Sequence, residues 1–336
     1  MEVNVLLTRK FFETDINYIK KGVKGSANII IPEVYTEEEL IKYASEADIF
    51  LGPVISKKLC DVAPRLKFIQ VPWTGVDNLN FNLIKEIGVK VCNSHSNAYA
   101  VAEHAIAMML DSAKKVSYHD RKMRTGDWNR PKPDKSNKVS PFSKRVSGSK
   151  IGIIGYGHIG RQIKKYLESF GCSFYVASLS VNISREEDGV KYYHMDQLDY
   201  VLKNVDYLFI CVPLTPETRN FFNAEKFSKM RNDAILINIS RGEIIDESAL
   251  HDALVNNKIA GASMDTWYNN PTNPNHIPVP VSIKYPFENF DNIVLSPHRA
   301  AMIDGELPHL DDAILNINRT IDELEPLNVV NVYKKY

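Results

Sequence analysis

The chain has 336 residues, 44% hydrophobic and 24% charged, a composition typical of a globular protein with about two domains. Lys and Arg together number 41, as do Asp and Glu, so the net charge is zero. This balance argues against a nucleic-acid or acidic-membrane partner, and no apolar run is long enough to span a membrane. The opening MEVNVLLTRKFF lacks the form of a signal peptide, which makes a cytoplasmic location the expectation.

The first third of the chain alternates strand and helix patterns, which is typical of a parallel α/β sheet. Glutamates follow the N-cap residue Thr36, and this pattern predicts a helix that extends to Ala44. This third contains no glycine turn of the kind that binds phosphate. Strands are predicted at Val3–Leu7, Ala27–Ile31, Ala47–Leu51, Leu66–Val71 and Val89–Cys92.

A long helix is predicted over Asn97–Ser117, where apolar residues cover much of the helix surface. Such a helix is expected to lie buried between layers. From Thr125 to Lys150 the composition changes to Pro, Ser, Lys and Asn, which predicts an extended segment. Loops of this length usually have a function or pack against a partner.

The segment IGIIGYGHIGR, residues 151–161, combines an apolar strand, three glycines and the start of a helix. Gly155, Gly157 and Gly160 have G-x-G-x-x-G spacing. The first makes a tight turn, the second lets the backbone approach a pyrophosphate, and the third allows close packing of helix on strand. The helix N-terminus then presents N–H groups to the phosphates. The context predicts a dinucleotide-binding unit that begins in the middle of the chain.

The α/β pattern continues to the end of the chain. Helices are predicted at Glu247–Asn256 and Asp311–Leu324, and the closing NVVNVY predicts an extended segment. Strands are predicted at Ile151–Ile154, Phe174–Ala177, Tyr207–Val212, Ala234–Ile239, Ile259–Met264 and Ile293–Leu295.

The second strand of the dinucleotide-binding unit ends at Ser178, where such folds usually carry an acid that binds the adenosine ribose. No Asp or Glu occurs between Gly171 and Ile183. Ser178 and Ser180 could therefore admit the 2′-phosphate of NADP. Arg185 is either a further ligand of that phosphate or a solvated loop residue.

Three later strands end in polar side chains. Arg241 follows one strand, and its planar guanidinium suits a carboxylate with an adjacent carbonyl oxygen. Asp265 follows the next strand and His298 the last, and a histidine can act as a general acid or base near neutral pH. Because the carboxyl ends of parallel strands line the ligand crevice of a doubly wound sheet, these three residues predict one convergent site.

Over most of its length the sequence resembles the D-isomer-specific 2-hydroxyacid dehydrogenase family. The resemblance is carried by LKFIQVPWTGVDNLN, NAYAVAEHAIAMML, GYGHIG, CVPLTPETRNFFN, INISRGEIIDESAL, GASMDTW and LSPHRAA, in the family's order. It implies an α/β fold with two Rossmann-like domains, in which a doubly wound dinucleotide-binding domain is inserted into a flavodoxin-like substrate domain. Residues 1–98 with 300–336 would form the substrate domain and residues 99–299 the NAD(P)-binding domain, with hinges near Asn97 and Ala300.

The resemblance also implies roles for single residues. Arg241 would bind the substrate carboxylate and carbonyl. His298 would protonate the oxygen that forms when hydride reaches the ketone carbon. The backbone amides of Thr74 and Gly75 would hold the carboxylate, with this loop also approaching the nicotinamide. The cofactor would be NAD or NADP, with contacts from Thr74, Gly155, Gly157, His158, Ile159, Gly160, Ser178, Val212, Ile239 and Asp265, the last of which would reach the nicotinamide carboxamide.

One position departs from the family pattern. Five residues after Asp265 the family usually has a glutamate that pairs with the histidine and raises its pKa, whereas this chain has Asn270. An amide can orient an imidazole but cannot stabilise imidazolium by charge, so we expect a lower pKa for His298 than in typical members.

The leading interpretation is an NAD(P)-dependent oxidoreductase that reduces a small 2-keto acid to a D-2-hydroxy acid, or catalyses the reverse reaction. Asn270 leaves two alternatives: a formate- or phosphite-like dehydrogenase without proton transfer, and a catalytically weak, dinucleotide-sensing partner protein. No metal is expected. The resemblance implies a homodimer, with the segment Thr125–Ser149 as an arm around the partner subunit.

Overall fold

The computed structural model describes residues 2–128, 142–269 and 281–336. The chain divides into two compact units, Met1–Asn97 with Met302–Tyr336 and Ala98–Ala301. Asn270 and most of the predicted arm at Thr125–Ser149 lie outside the described residues. No helix within the described ranges is both long and apolar enough to cross a membrane.

The strands of the described ranges, in chain order, are β1 Val3–Leu7, β2 Ala27–Ile30, β3 Ile49–Leu51, β4 Phe68–Gln70, β5 Lys90–Cys92, β6 Lys150–Ile154, β7 Ser173–Ala177, β8 Arg185–Glu187, β9 Val190–Tyr193, β10 Tyr207–Ile210, β11 Ile235–Asn238, β12 Gly261–Met264 and β13 Ile293–Leu295. The α-helices are α1 Glu13–Gly22, α2 Glu37–Ala44, α3 Lys57–Asp61, α4 Phe81–Ile87, α5 Ala98–Lys114, α6 Val116–Arg124, α7 His158–Leu167, α8 Leu198–Asn204, α9 Ala224–Lys229, α10 Glu247–Val255 and α11 Asp311–Ile321.

The first unit is a parallel sheet with the strand order β2–β1–β3–β4–β5, which is the flavodoxin-like order. Successive side chains of a strand point to opposite faces, and here both faces are covered. Leu6 and Phe50 belong to the core that includes Leu40 of α2. Val5 and Ile49 belong to the core on the other face, which includes residues of α1 and α11. The predicted flavodoxin-like architecture is confirmed.

The second unit is a sheet with the order β13–β12–β11–β10–β6–β7–β9–β8, parallel throughout except for the antiparallel pair β8–β9. The chain runs from β6 outward to β7 and β9, then returns to the other side of β6 at β10. This reversal is the topological switch point, where doubly wound sheets bind their ligands. The predicted doubly wound fold is confirmed, and its switch point lies between β6 and β10.

The single helix predicted over Asn97–Ser117 is wrong at its end. Helix α5 ends at Lys114, and Lys115 adopts a left-handed backbone conformation with φ 56° before α6 begins. The carboxylate of Asp111 accepts hydrogen bonds from the Ser117 backbone N–H, at 2.7 Å, and from the Ser117 hydroxyl. These side-chain bonds replace the backbone pattern of a continuous helix.

Two further expectations need correction. The alternative that places Arg185 in a loop is wrong, because the residue lies in a hairpin, β8–β9, joined by Asp188 and Gly189 at φ 50° and 71°. Positive φ at both turn residues matches the right-handed twist of the strands, and the Asp-Gly pair is the sequence signal of this hairpin. The closing segment is extended only near Val329, which forms an antiparallel bridge with Cys92, and it then turns over residues 332–335.

Candidate functional site

The glycine turn after β6 is shaped by its neighbours. Gly155 has φ +87°, and a Cβ there would lie 2.8 Å from the Cys211 carbonyl oxygen. A Cβ on Gly160 would lie 2.8 Å from the Gly155 carbonyl oxygen. A Cβ on Gly157 would meet no atom within 4 Å. Gly155 and Gly160 are therefore required by the packing of the chain on itself, whereas Gly157 leaves its backbone open to a ligand.

Helix α7 begins directly at this turn. Its N-cap residue is Gly157, which offers no side chain to satisfy the first N–H groups of the helix. His158 is exposed at the start of the helix, and Ile159 packs against the core on the α5 side of the sheet. The open backbone and the uncapped helix N-terminus together suit a pyrophosphate.

Ser178 lies at the carboxyl end of β7, as predicted. Its N–H donates to the Tyr193 carbonyl oxygen at 3.1 Å, and its Oγ lies 2.9 Å from the Ser180 Oγ. Arg185 lies on the edge strand β8, where its guanidinium is 4.5 Å from the ring centre of Tyr192. Arg185 Nε also donates to Glu187 at 3.1 Å. Arg185 is therefore an edge-strand residue with partners of its own rather than a solvated loop residue.

The turn that carries Arg241 is fixed by the end of β11. The buried Asn238 accepts from Ser240 N at 3.0 Å and donates to the Arg241 carbonyl oxygen at 2.8 Å. The Ser240 hydroxyl donates to the Ile210 carbonyl oxygen at 3.0 Å, which ties the turn to β10. The Arg241 side chain is half-buried, and Ile239 beside it is buried. The structure thus places Arg241 next to the switch point.

Asp265 follows β12 and is fully buried. Its Oδ1 accepts from the Ser296 hydroxyl at 2.5 Å and from Arg299 N at 2.9 Å. Its Oδ2 accepts from Ala300 N at 3.1 Å. His104 Nε2, from α5, lies 2.9 Å from the Ser296 Oγ and 3.5 Å from Asp265 Oδ1.

Opposing effects act on the pKa of Asp265. Burial raises the pKa, but hydrogen bonds from His104, Ser296, Arg299 N and Ala300 N outweigh it and hold the pKa below its ordinary value. The group is a carboxylate at neutral pH and can only accept hydrogen bonds. We conclude that Asp265 holds the loop that follows β13.

His298 lies in that loop, directly before the two amides that Asp265 binds. It is exposed and has φ 54°, a left-handed conformation that is uncommon for a residue with a side chain. Arg299 is exposed as well.

Thr74 and Gly75 belong to the first unit, in the loop after β4. The Thr74 hydroxyl donates to the Ser94 carbonyl oxygen at 2.7 Å. The Thr74 carbonyl oxygen accepts a hydrogen bond from Asn93 Nδ2, also at 2.7 Å. The loop is therefore fixed to the segment after β5, and Gly75 within it is half-buried.

Within the second unit, the predicted site residues follow the carboxyl ends of neighbouring strands. Those strands are β7, β6, β10, β11, β12 and β13, and the residues are Ser178, Gly155, Val212, Arg241, Asp265 and His298. Sequence reasoning missed His104 and Ser296. The only local signal for His104 is a polar residue in an apolar helix, and Ser296 has none. Among the described residues no group of three His, Cys, Asp or Glu side chains could hold a metal ion.

Comparison with known proteins gives matches over most of the chain. Residues 106–300 match the family model described as D-isomer specific 2-hydroxyacid dehydrogenase, NAD binding domain. A glyoxylate reductase from Thermofilum pendens is 31% identical over 89% of this chain, which covers 82% of that relative. A D-3-phosphoglycerate dehydrogenase from Archaeoglobus fulgidus is 28% identical over 99% of this chain.

The chain spans only 58% of the length of that phosphoglycerate dehydrogenase. Among solved structures, an NADPH-dependent glyoxylate/hydroxypyruvate reductase from Sinorhizobium meliloti, in complex with NADP and sulfate, has the same fold. Its TM-score is 0.78 at 21% identity, and the match covers 99% of this chain and 100% of that one.

Proposed function

Since the chain belongs to the D-isomer-specific 2-hydroxyacid dehydrogenase family, we propose that it is an NAD(P)-dependent oxidoreductase that interconverts a small 2-keto acid and its D-2-hydroxy acid. One observation carries the proposal: the glycine turn, Arg241 and His298 follow the carboxyl ends of strands of one sheet, around its switch point. A dinucleotide turn alone would indicate only nucleotide binding. The arginine and histidine add the groups that 2-keto acid reduction requires.

The residues of the second unit fit a dinucleotide. The backbone at Gly157 is open, and the first turn of α7 offers N–H groups to the pyrophosphate. Asp265 Oδ2, which accepts one bond from Ala300, retains a lone pair for a carboxamide N–H. When bound, the nicotinamide supplies or accepts the hydride. Val212 and Ile239, after β10 and β11, offer apolar contacts beside it.

Arg241 and His298 act on the substrate. The Arg241 guanidinium binds the carboxylate and polarises the carbonyl oxygen, which draws negative charge onto that oxygen as the hydride arrives. His298 donates a proton to the oxygen in reduction and removes it in oxidation. We assign to the Thr74 and Gly75 amides the carboxylate-binding role that the family resemblance implies. The first unit, with boundaries near residues 98 and 300, would then be the substrate domain.

The cofactor site accommodates NADP as well as NAD. Ser178 and Ser180 place two neighbouring hydroxyls, rather than a carboxylate, after the end of β7. A carboxylate there would bind the ribose hydroxyls of NAD and repel a 2′-phosphate. We therefore expect NADPH to bind at least as tightly as NADH.

We also propose a homodimer. Helix α6 has no buried residue, and its exposed side chains include Val116 and Met123, with Trp128 exposed shortly after it. Apolar side chains so exposed favour a protein partner. Size-exclusion chromatography with light scattering should show twice the chain mass, and a monomer at micromolar concentration would contradict the proposal.

The test is a matrix of substrates and cofactors. Oxidation of NADH and of NADPH is followed with glyoxylate, hydroxypyruvate and pyruvate, and reduction of NAD⁺ and NADP⁺ with formate and phosphite. We expect turnover with at least one keto acid. Turnover with formate or phosphite alone would favour hydride abstraction without proton transfer. Dinucleotide binding without turnover on any substrate would favour a sensor.

A further inference from the structure

His104 is the polar exception in helix α5. Its neighbours on the helix, such as Ala102, Ala105 and Ile106, are buried in the core beneath the sheet. Its own side chain is 31% exposed, and Nε2 lies 2.9 Å from the Ser296 Oγ. None of the roles assigned above uses this histidine.

The direction of the hydrogen bonds is determined by the carboxylate. Asp265 can only accept, so the Ser296 hydroxyl donates its single proton to Asp265 Oδ1. In the 2.9 Å contact with His104 the Ser296 Oγ is then the acceptor, so Nε2 carries a proton, and the same N–H lies within 3.5 Å of Asp265 Oδ1. The same serine is held from its other side, because Trp267 Nε1 donates to the Ser296 carbonyl oxygen at 2.9 Å.

The chain of bonds ends at the segment after His298. Asp265 binds Arg299 N and Ala300 N, the two amides that follow His298. These bonds set the direction in which the backbone leaves His298, whose left-handed φ of 54° needs support from its surroundings. A change in the carboxylate's orientation would therefore move or loosen the histidine.

We propose that His104 is a positioning residue for His298: by donating to Ser296 it orients the Asp265 carboxylate, which holds the Arg299 and Ala300 amides. The proposal rests on the proposed function only in that His298 is the acid/base group. His104 itself contacts neither the substrate nor the transferred proton.

Amide hydrogen exchange of Arg299 and Ala300 tests the contact without any catalysis. We expect His104→Leu to exchange these two amides about tenfold faster or more, since a charge-assisted hydrogen-bond chain has lost its donor. His104→Gln retains an N–H donor and should restore much of the protection. His119→Leu makes the same change on α6, where the ring lies edge-on to Tyr118, and should leave these amides protected. If His104→Leu does not fold, Ser296→Ala interrupts the same chain and should give the same exchange.

The kinetic readout separates positioning from general stability. We expect His104→Leu to lower kcat about tenfold with an unchanged KM for the keto acid, and His104→Gln to recover most of the loss. Unchanged exchange at Arg299 and Ala300, or equal effects of Leu and Gln, would overturn the proposal. If the wild type reduces no keto acid, the proposed function fails, while the exchange measurement still decides whether His104 orders this loop.

Discussion

His298 is exposed and has a left-handed backbone conformation, and the Asp265 carboxylate holds the segment that follows it. Replacement by glutamine keeps a polar side chain but removes the proton donor. We expect His298→Gln to lower keto acid reduction by roughly 10²–10⁴-fold, the usual contribution of general acid–base catalysis. Dinucleotide affinity, measured by quenching of protein fluorescence, should not change. Undiminished turnover would show that no proton passes through His298.

We have proposed that Ser178 influences the choice between NAD and NADP. Ser178→Asp introduces a carboxylate at the end of β7, where it can accept from the ribose hydroxyls of NADH and repels the 2′-phosphate of NADPH. We expect NADPH affinity to fall about tenfold or more, and NADH affinity to be kept or improved. Equilibrium titration with both cofactors measures this. An equal loss of both would mean that Ser178 does not face the ribose.

Asn270, like Ser178, occupies a position where a carboxylate is usual. The family resemblance implies that a glutamate at this position pairs with the histidine, and such a carboxylate would favour the charged form of His298. We therefore expect Asn270→Glu to move the pH profile of keto acid reduction toward higher pH. Asn270→Gln keeps the charge and controls for side-chain length. A profile that does not move would refute the charge argument.

The glycine turn allows a test at the level of a single element. Gly155→Ala places a Cβ 2.8 Å from the Cys211 carbonyl oxygen at φ +87°, whereas Gly157→Ala places one in open space. We expect Gly155→Ala to lower thermal stability, and Gly157→Ala to leave it unchanged but weaken dinucleotide binding. Melting temperature and cofactor affinity, measured for both variants, separate the two effects. If both variants kept the cofactor affinity of the wild type, the turn would not approach the phosphates.

The connection between α9 and β11 makes stability depend on pH. The two bonds from Arg231, each 2.8 Å, and the nearby Lys144 together lower the pKa of Asp233 to about 2, against the opposing effect of its partial burial. Because the folded pKa is depressed, this contribution is full above pH ~4 and disappears as the pH falls toward 2. The pair is about half exposed, so screening leaves roughly 1 kcal/mol or less.

Urea unfolding measures this contribution. At pH 6 we expect Asp233→Asn to be less stable than the wild type by about that amount, and the two free energies of unfolding to converge near pH 2. Glu33→Gln, which neutralises an exposed carboxylate elsewhere in the chain, is the control. A difference that stays constant across this range would contradict the pKa shift.

Most elements were predictable because their strands are buried on both faces and read as apolar runs. Val3–Leu7 and Ile293–Leu295 agree with the structure residue for residue. The hairpin β8–β9 was not predicted, because its strands are short and its first strand is exposed and charged. The end of α5 at Lys114 was not predicted, because the break depends on hydrogen bonds from Ser117 to the Asp111 carboxylate. The spacing of apolar residues carries no information on such side-chain bonds.

In the whole molecule, the mid-chain glycine turn predicted a dinucleotide-binding unit, and the family resemblance implied that it is inserted into a second domain. The two sheets, which are parallel except for the pair β8–β9, confirm the α/β fold with two Rossmann-like domains. Strand ends could be read from the sequence, so Arg241, Asp265 and His298 were expected on one sheet edge. Contacts between segments distant in the sequence could not be predicted in this way. The packing of α5 beside β12 and β13 brings together His104, Asp265 and Ser296. No local sequence pattern predicts this contact.

We have proposed that this chain delivers hydride to one face of a 2-keto acid, which gives the D-isomer, and protonates the carbonyl oxygen. Chiral analysis of the glycerate formed from hydroxypyruvate with NADPH or NADH tests it most directly. We expect D-glycerate in amounts equal to the cofactor oxidised, with little product from His298→Gln. L-glycerate, or tight cofactor binding with no turnover on hydroxypyruvate, glyoxylate or pyruvate, would contradict it.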